Sequence, residues 1–395
     1  MSVDDYLARV LSFMQPLPPV MVPLLEALGL VLAEDVQMPR DLPAFDNSSM
    51  DGYAVISGDL EAVPTHLRVI EDIPAGAVPR ATVTRGTAAR IMTGAPMPAG
   101  ADAVVRVEWT DGGTETVEVQ RTVAPGNDIR RAGEDLREGQ TVLIRGTVVT
   151  PRTIALLASC DREQLLVHPR PRVTVISTGD ELVPAGQPVG AGQIVDSNGP
   201  LLVACVQDAG AVVTHQGPVA DHADDFRAVL QQALAHSDLI ITSGGVSMGA
   251  YDTVKEVLGA AGGVEFSKVA MNPGMPQGCG QLDGIPIITL PGNPVSTYVS
   301  FEVFVRPALR TLMGRPDVHR PLRTATTLAS FGSPAAKRQF ARGVLDGFDD
   351  CSVAPVRGQG SHMLSGLSEA NCLMVIPEEV TEVAAGSVVT VIDLR

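Results

Sequence analysis

Lysine is almost missing from this chain. Of its 395 residues only Lys255, Lys268 and Lys337 carry an ammonium, so nearly all positive charge is arginine. Positive charge is short overall: 29 basic residues face 45 acidic ones, and a net charge of −16 argues against nucleic acid or an anionic membrane as partner. An anionic small molecule can bind only where local cations, backbone N–H groups or a metal overcome that field. No run of about 18 apolar residues occurs, which excludes a membrane-spanning helix. The N-terminus, "MSVDDYLARV", is acidic where a secretory signal would be basic. The five cysteines, Cys160, Cys205, Cys279, Cys351 and Cys372, show no CxxC spacing and are expected as buried, reduced thiols. A soluble, cytoplasmic protein is the expectation.

Familiar chemical motifs are lacking too. No lysine follows the glycine pair Gly244–Gly245, so no Walker loop is present, and there is no GxGxxG fingerprint. The seven histidines have no ligand spacing, and neither an HExxH zinc pattern nor a GxSxG elbow occurs.

What is there is a rhythm that changes along the chain. The length predicts two or more domains, and a hydrophobic content of 45% is ample for their cores. "SVDDYLARVLSFM" is expected as a helix capped by Ser2, with Tyr6, Val10, Phe13 and Met14 near one face. Residues 51–136 break into short β-rich pieces between Gly and Pro turns, which predicts an inserted β-domain. A helix is expected to start near Pro151. Beyond about residue 170, strands alternate with helices. "RVTVIST", "VVTHQGPV", "DLIITSGG", "VEFSKVA" and "IPIITL" are the strands, and a long helix over "NPVSTYVSFEVFVRPALRTLMG" closes the run. Such alternation predicts a three-layer α/β domain with a largely parallel sheet. From about Pro321 short strands return, as in a terminal β-domain.

In an open α/β sheet, ligands bind outside the carboxyl ends of the strands. "STGDELVP", "TSGGVSMGAYD" and "LPGNPVS" all fall there. Gly244 and Gly245 lack a Cβ, so the backbone can turn sharply and a ligand can approach its N–H groups, but ordinary strand–turn–helix packing explains the pair equally well. Each carboxylate also has two readings. Asp221 and Asp252 stand where a helix N-cap is wanted. Asp180, Glu181 and Asp51 suit turns, and Asp135 suits a charged loop. Lys268, on a strand leading into "MNPGMP", either faces a phosphate or simply lies at the surface.

Taken in order, "NSSMDGYAV", "IMTGAPMPAGADAVV", "IRRAGEDLREG", "STGDELV", "IVDSNGPLL", "DLIITSGGVSMGAYD" and "LPGNPVSTYVSFEVFVRPAL" resemble the molybdopterin molybdenumtransferase family, called MoeA in bacteria and the gephyrin E domain in animals. The likeness covers nearly the whole chain. It implies a mixed connecting domain (1–45 and 137–168), an inserted β-rich domain (46–136), a molybdopterin-binding-like three-layer α/β domain (169–316) and a C-terminal small β-barrel (317–395). It also implies an elongated homodimer whose cleft sets Asp51, Thr93 and Asp135 of one copy opposite Glu181, Asp221, Asp252 and Lys268 of the other. The family reaction joins molybdate to adenylylated molybdopterin, releases AMP and depends on Mg²⁺; Asp51, Asp135, Glu181, Asp221 and Asp252 are the implied metal- and water-positioning groups, with Glu181, Asp221 and Asp252 as the metal ligands. Lys268 is then expected to stabilise the leaving phosphate. Ser243, Gly244, Gly245 and Ser247 are expected to receive the pterin or its phosphate, with Pro291, Gly292, Asn293 and Pro294 as the cleft floor. Molybdate is expected near Arg338, Arg342, Ser361 and Ser365.

One departure stands out. Where members of the family carry one or two lysines, "MNPGMP" has Asn272 and Met275. Either arginines from another segment compensate, or the chain is a divergent paralogue that binds molybdopterin or serves as a scaffold. Adenylylation of molybdopterin is a further alternative, and a molybdopterin adenylyltransferase is a possible partner.

Overall fold

The computed structural model describes residues 1–245, 253–348 and 350–395. The chain forms two compact units, one of Met1–Glu34, Arg145–Pro151 and Gln164–Arg395, the other of Asp35–Ile144 and Arg152–Glu163. All five cysteines are buried and free. Among the described residues no helix is long and apolar enough to cross a membrane.

The smaller unit is built on five strands: β1 (Gly52–Val55), β2 (Thr65–Ile73), β3 (Thr87–Ile91), β4 (Ala103–Arg106) and β5 (Thr116–Val119), in the order β4-β1-β3-β2-β5. Side chains alternate between two cores. Tyr53, Val55, Ala103 and Val105 enter one, and Ala54 and Val104 the other. Period-two packing on both faces explains why these strands are apolar throughout.

The larger unit opens with helix α1 (Val3–Ser12), capped as expected by the Ser2 hydroxyl, which accepts from the Asp5 N–H at 3.1 Å. Tyr6 and Val10 are buried along it, and Met14 just beyond its end. Helix α2 (Pro151–Ser159) begins at the predicted proline, and from Arg152 onward it belongs to the smaller unit. The central sheet holds β6 (Arg172–Thr178), β7 (Val212–Val219), β8 (Leu239–Ser243), β9 (Val264–Lys268), β10 (Pro276–Leu282) and β11 (Ile285–Leu290) in the order β7-β6-β8-β11-β10-β9. The first four in that order run parallel, and β10 and β9 pair antiparallel. Helices α3 (Asn198–Asp208), α4 (Ala223–His236) and α5 (Thr253–Ala261) connect them. Val175, Leu239, Ile241 and Ile288 face a core shared with α1 and α3, whereas Ile176, Ile240 and Ile287 face α4 and α5. Burial on both faces is what produces unbroken apolar strands.

Two elements differ from the sequence-based expectation. Strand β10 was unforeseen because glycines at 278 and 280 erase its apolar alternation. A Cβ at Gly280 would sit 1.9 Å from the Gly263 carbonyl oxygen, so the close approach of β9 requires glycine there. The closing helix is interrupted: α6 (Pro294–Ser300) passes through one π-helical stretch, Phe301–Val305, into α7 (Arg306–Leu312). Pro307 cannot donate the usual helical hydrogen bond and crowds the preceding turn, and the wider π turn accommodates it.

The terminal strands β12 (Leu322–Thr327), β13 (Arg338–Asp346), β14 (Ser352–Pro355), β15 (Cys372–Ile376) and β16 (Val388–Asp393) close into the expected barrel, because β13 pairs with both β14 and β15. Phe340 and Leu373 join the same apolar cluster as α1, α6 and α7. On the last strand Asp393 accepts from Arg323 Nε at 2.7 Å and Arg395 Nε at 3.1 Å. The Arg395 hydrogen bond holds the Asp393 carboxyl down at about 2; burial opposes it, and the Arg395 N–H and Arg323 reinforce it. A depressed acid stabilises fully above its unfolded value of about 3.9 and loses that contribution as pH falls through the folded value. Asp393→Asn is therefore expected to lower stability at neutral pH and to flatten the fall between about pH 4 and pH 2, as read by circular dichroism along an acid titration.

Candidate functional site

The carboxyl ends of β6, β8 and β11 open into a cavity of about 350 Å³ in the larger unit. Its wall comes from five places that the chain order keeps apart. Thr178 ends β6 and Glu181 follows it, Ile194 to Asn198 run into the start of α3, Ser243 ends β8 and Gly244 follows it, Gly292 to Pro294 follow β11, and His362 and Leu364 arrive from the terminal region. Sequence reasoning picked out the turns after β6, β8 and β11. It missed Thr178, Asp196, Asn198 and His362, although "IVDSNGPLL" was one of the motifs that carried the family resemblance.

Each turn has a local cause. Gly244 and Gly245 have φ of 93° and 68°, the left-handed region that residues with a Cβ avoid, so the chain can turn off β8 only with glycine. Asn293 stands with extended backbone at the N-cap position of α6, with Pro294 in its first turn. The Thr297 hydroxyl donates to the Pro291 carbonyl at 2.6 Å, and Asn198 Nδ2 donates to the Gly292 carbonyl at 2.6 Å, which pins the floor to helix α3. Glu181 is exposed, and its carboxylate lies over Gly179, where an added Cβ would meet Oε2 at 2.6 Å. It rides on a small parallel ladder, Leu182–Val183 with Ile194–Val195.

Three side-chain oxygens on this wall, Thr178 Oγ1, Ser243 Oγ and Asn198 Oδ1, are buried and have no hydrogen-bond partner among the described residues. An unsatisfied buried polar atom costs about 1–3 kcal/mol, so three around one cavity mark a place prepared for a polar ligand. Among the described residues no lysine or arginine lines the cavity, and the charged groups are Glu181 and Asp196.

Other expected residues fall as follows. Asp221 is not the N-cap of α4, a place His222 takes with extended backbone; the Asp221 N–H instead donates to the Asp180 carboxylate at 2.9 Å, and its carbonyl accepts from the Thr253 hydroxyl at 2.8 Å. This brings the loops of Glu181 and Asp221 side by side. Lys268 ends β9 at the same sheet edge, exposed and with no ion-pair partner among the described residues. Ser247 and Asp252 lie outside the described residues. In the smaller unit Asp51 and Thr93 come together: the Thr93 N–H and hydroxyl donate to Asp51 Oδ1 at 2.7 and 2.9 Å, and these bonds hold the Asp51 carboxyl below its usual range. Asp135 is exposed there, its N–H bonded to the Leu42 carbonyl at 3.1 Å.

Both arginines expected near molybdate are already engaged. Arg338 pairs with Asp4 at 2.7 Å and Glu378 at 3.2 Å. Arg342 is buried, and its guanidinium donates to the carbonyls of Met363, Gly358 and Gly360 at 2.6, 2.7 and 3.1 Å. Burial pushes its pKa down. It thereby shapes the loop carrying Ser361, whose carbonyl accepts from the Val295 N–H of α6 at 3.0 Å, while Ser365 is exposed on the next short helix. Neither arginine is a free replacement for the cations missing at Asn272 and Met275.

Comparison with known proteins matches this arrangement along its length. Residues 1–160 match the MoeA N-terminal region (domain I and II), 174–311 a probable molybdopterin binding domain, and 324–394 the MoeA C-terminal region (domain IV). The chain is 50% identical over 403 aligned positions to molybdopterin molybdenumtransferase 2 of Mycobacterium tuberculosis, covering 100% of this chain and 99% of that protein. It is 34% identical to the molybdopterin molybdenumtransferase of Bacillus subtilis, covering 100% and 94%. A crystal structure of the molybdopterin biosynthesis MoeA protein from Pyrococcus horikosii superposes with a TM-score of 0.86 at 30% identity, covering 100% of this chain and 99% of that one. With the α/β domain, the inserted strands and the terminal barrel all matched in order, the chain belongs to the molybdopterin molybdenumtransferase family.

Proposed function

We propose that this chain inserts molybdenum from molybdate into adenylylated molybdopterin and releases AMP in a Mg²⁺-dependent step, acting as a homodimer. The observation that carries the reading is the cavity at the carboxyl edge of the sheet, with its three unpartnered oxygens and the acidic loops of Glu181 and Asp221 beside it. The oxygens suit the hydrogen-bonding edge of a polar heterocycle. The acidic loops suit a divalent cation that comes with phosphate.

Among the described residues no group of three Asp, Glu, His or Cys could cage a metal. Magnesium rarely asks for one: it is held by one or two carboxylates and completes its shell with water and substrate phosphate. Glu181 and Asp221 fit that pattern, with Asp252 as the further implied ligand. Bound there, magnesium would neutralise phosphate oxygens that the acidic protein otherwise repels. Lys268, at the same edge and without an ion-pair partner among the described residues, would take up charge as AMP leaves. In a homodimer the partner copy would bring its Asp51–Thr93 pair to the substrate.

The test supplies purified pterin adenylate, Mg²⁺ and molybdate and follows AMP, with light scattering for the dimer. AMP release that rises with molybdate and stops on chelation is expected; release that is negligible or indifferent to molybdate overturns the reading. A second reading, pterin binding without efficient insertion, is favoured by the commitment of Arg338 and Arg342 to internal partners. It predicts retention of the pterin adenylate in the same assay with no molybdate response.

A further inference from the structure

Beside the cavity lies a cluster that the proposed reaction does not use. Ser177 on β6 is fully buried, and its hydroxyl donates to Asp196 Oδ2 at 2.7 Å and lies 2.8 Å from His215 Nε2 on β7. A hydroxyl has one proton, and a carboxylate can only accept. The proton therefore goes to Asp196, the serine oxygen accepts from His215, and His215 must carry its hydrogen on Nε2. The other Asp196 oxygen takes the Gly199 N–H at 2.9 Å, in the first turn of α3. Room for the chain is made by glycine: a Cβ on Gly199 would lie 2.4 Å from His215 Nε2, and one on Gly217 would lie 2.6 Å from the Ser177 carbonyl oxygen.

The far end of this chain holds the cavity wall. The Asp196 N–H donates to the Val183 carbonyl at 2.8 Å and the Ile194 N–H to the Glu181 carbonyl at 2.7 Å, so Asp196 anchors the small ladder on which Glu181 rides. Asn198, two residues on, presents its unpartnered oxygen to the cavity. We infer that His215 is a positioning residue, which acts through Ser177 and Asp196 to set Glu181 and the start of α3 for the reaction. This inference rests on the transferase reading given above.

The test compares His215→Leu, which removes the donor, with His215→Gln, whose amide N–H can reach the serine. Both are assayed in the full chain beside thermal melts, and the wild-type His215 tautomer is read by nitrogen-15 NMR. His215→Leu is expected to lower kcat for molybdate-dependent AMP release about tenfold with little change in KM. His215→Gln is expected to stay within about threefold of wild type, and NMR is expected to show the Nε2–H form. Equal kcat in the two variants, or a loss of melting temperature alone in His215→Leu, overturns the inference. So does an Nδ1–H tautomer. A wild-type chain that releases no AMP defeats the transferase reading instead, and the tautomer then decides whether the His215–Ser177–Asp196 chain exists.

Discussion

Glu181→Gln is expected to cut molybdate-dependent turnover about 100-fold while leaving folding stability within about 0.5 kcal/mol. The exchange keeps the shape of the side chain and removes only its charge. The carboxylate is exposed, makes no ion pair among the described residues and lines the cavity beside three unpartnered oxygens. Nothing in the fold depends on its charge, so a large kinetic effect with an unchanged melt assigns that charge to the reaction. Steady-state AMP release and thermal unfolding, measured on the same preparation, check both halves. A variant that melts early yet turns over normally per folded molecule would make Glu181 a support for the turn at Gly179 and nothing more.

The largest stability effect is expected from Glu302→Gln, about 3–5 kcal/mol, seen by calorimetry as earlier unfolding of the larger unit. Glu302 has a side-chain exposure of 1% and accepts from Arg306 Nε at 2.7 Å and from Arg320 Nε at 2.7 Å, and Arg306 itself is 2% exposed. One buried guanidinium, Arg306, and one partly buried, Arg320 at 15% exposure, thus share one buried carboxylate. The remaining partner, Asp208, is 63% exposed. Burial pushes the Asp208 carboxyl up, but the hydrogen bonds and charge of Arg306 and Arg320 outweigh it and hold the group below its usual range. How dry the surroundings are shows in the nearby Cys205 thiol, which burial and the Glu302 charge push up to about 12. Removing the Glu302 charge leaves two cations facing a single, water-screened anion. Asp208→Asn is a milder change, about 1 kcal/mol or less, because water already screens that carboxylate. If the two substitutions cost the same, the buried carboxylate is not the centre of the network.

Local pattern made much of the fold legible. Unbroken apolar strands alternating with helices marked the doubly covered sheet, Ser2 and Pro151 marked helix starts, and glycines beyond strand ends marked the turns of the cavity. Strand β10 was not legible, since its glycines answer to the backbone of β9 and to Thr289, which lie elsewhere in the chain. The π turn at Phe301–Val305 was hidden for the opposite reason: its apolar spacing matches an uninterrupted helix, and only the constraint of Pro307 sets it apart.

The same division runs through the site. Local spacing was enough to place Glu181, Gly244 and Asn293 at strand ends, because strand alternation and turn chemistry are properties of neighbouring residues. Tertiary structure alone decided that Arg338 and Arg342 are spent on Asp4, Glu378 and three carbonyls, and that Asp221 serves no cap. It alone joined His215, Ser177 and Asp196, which are 38 and 19 residues apart from Ser177 along the chain. A charge or a donor is written in the sequence; whether it is free or already satisfied depends on which distant groups the packed sheet brings within about 3 Å.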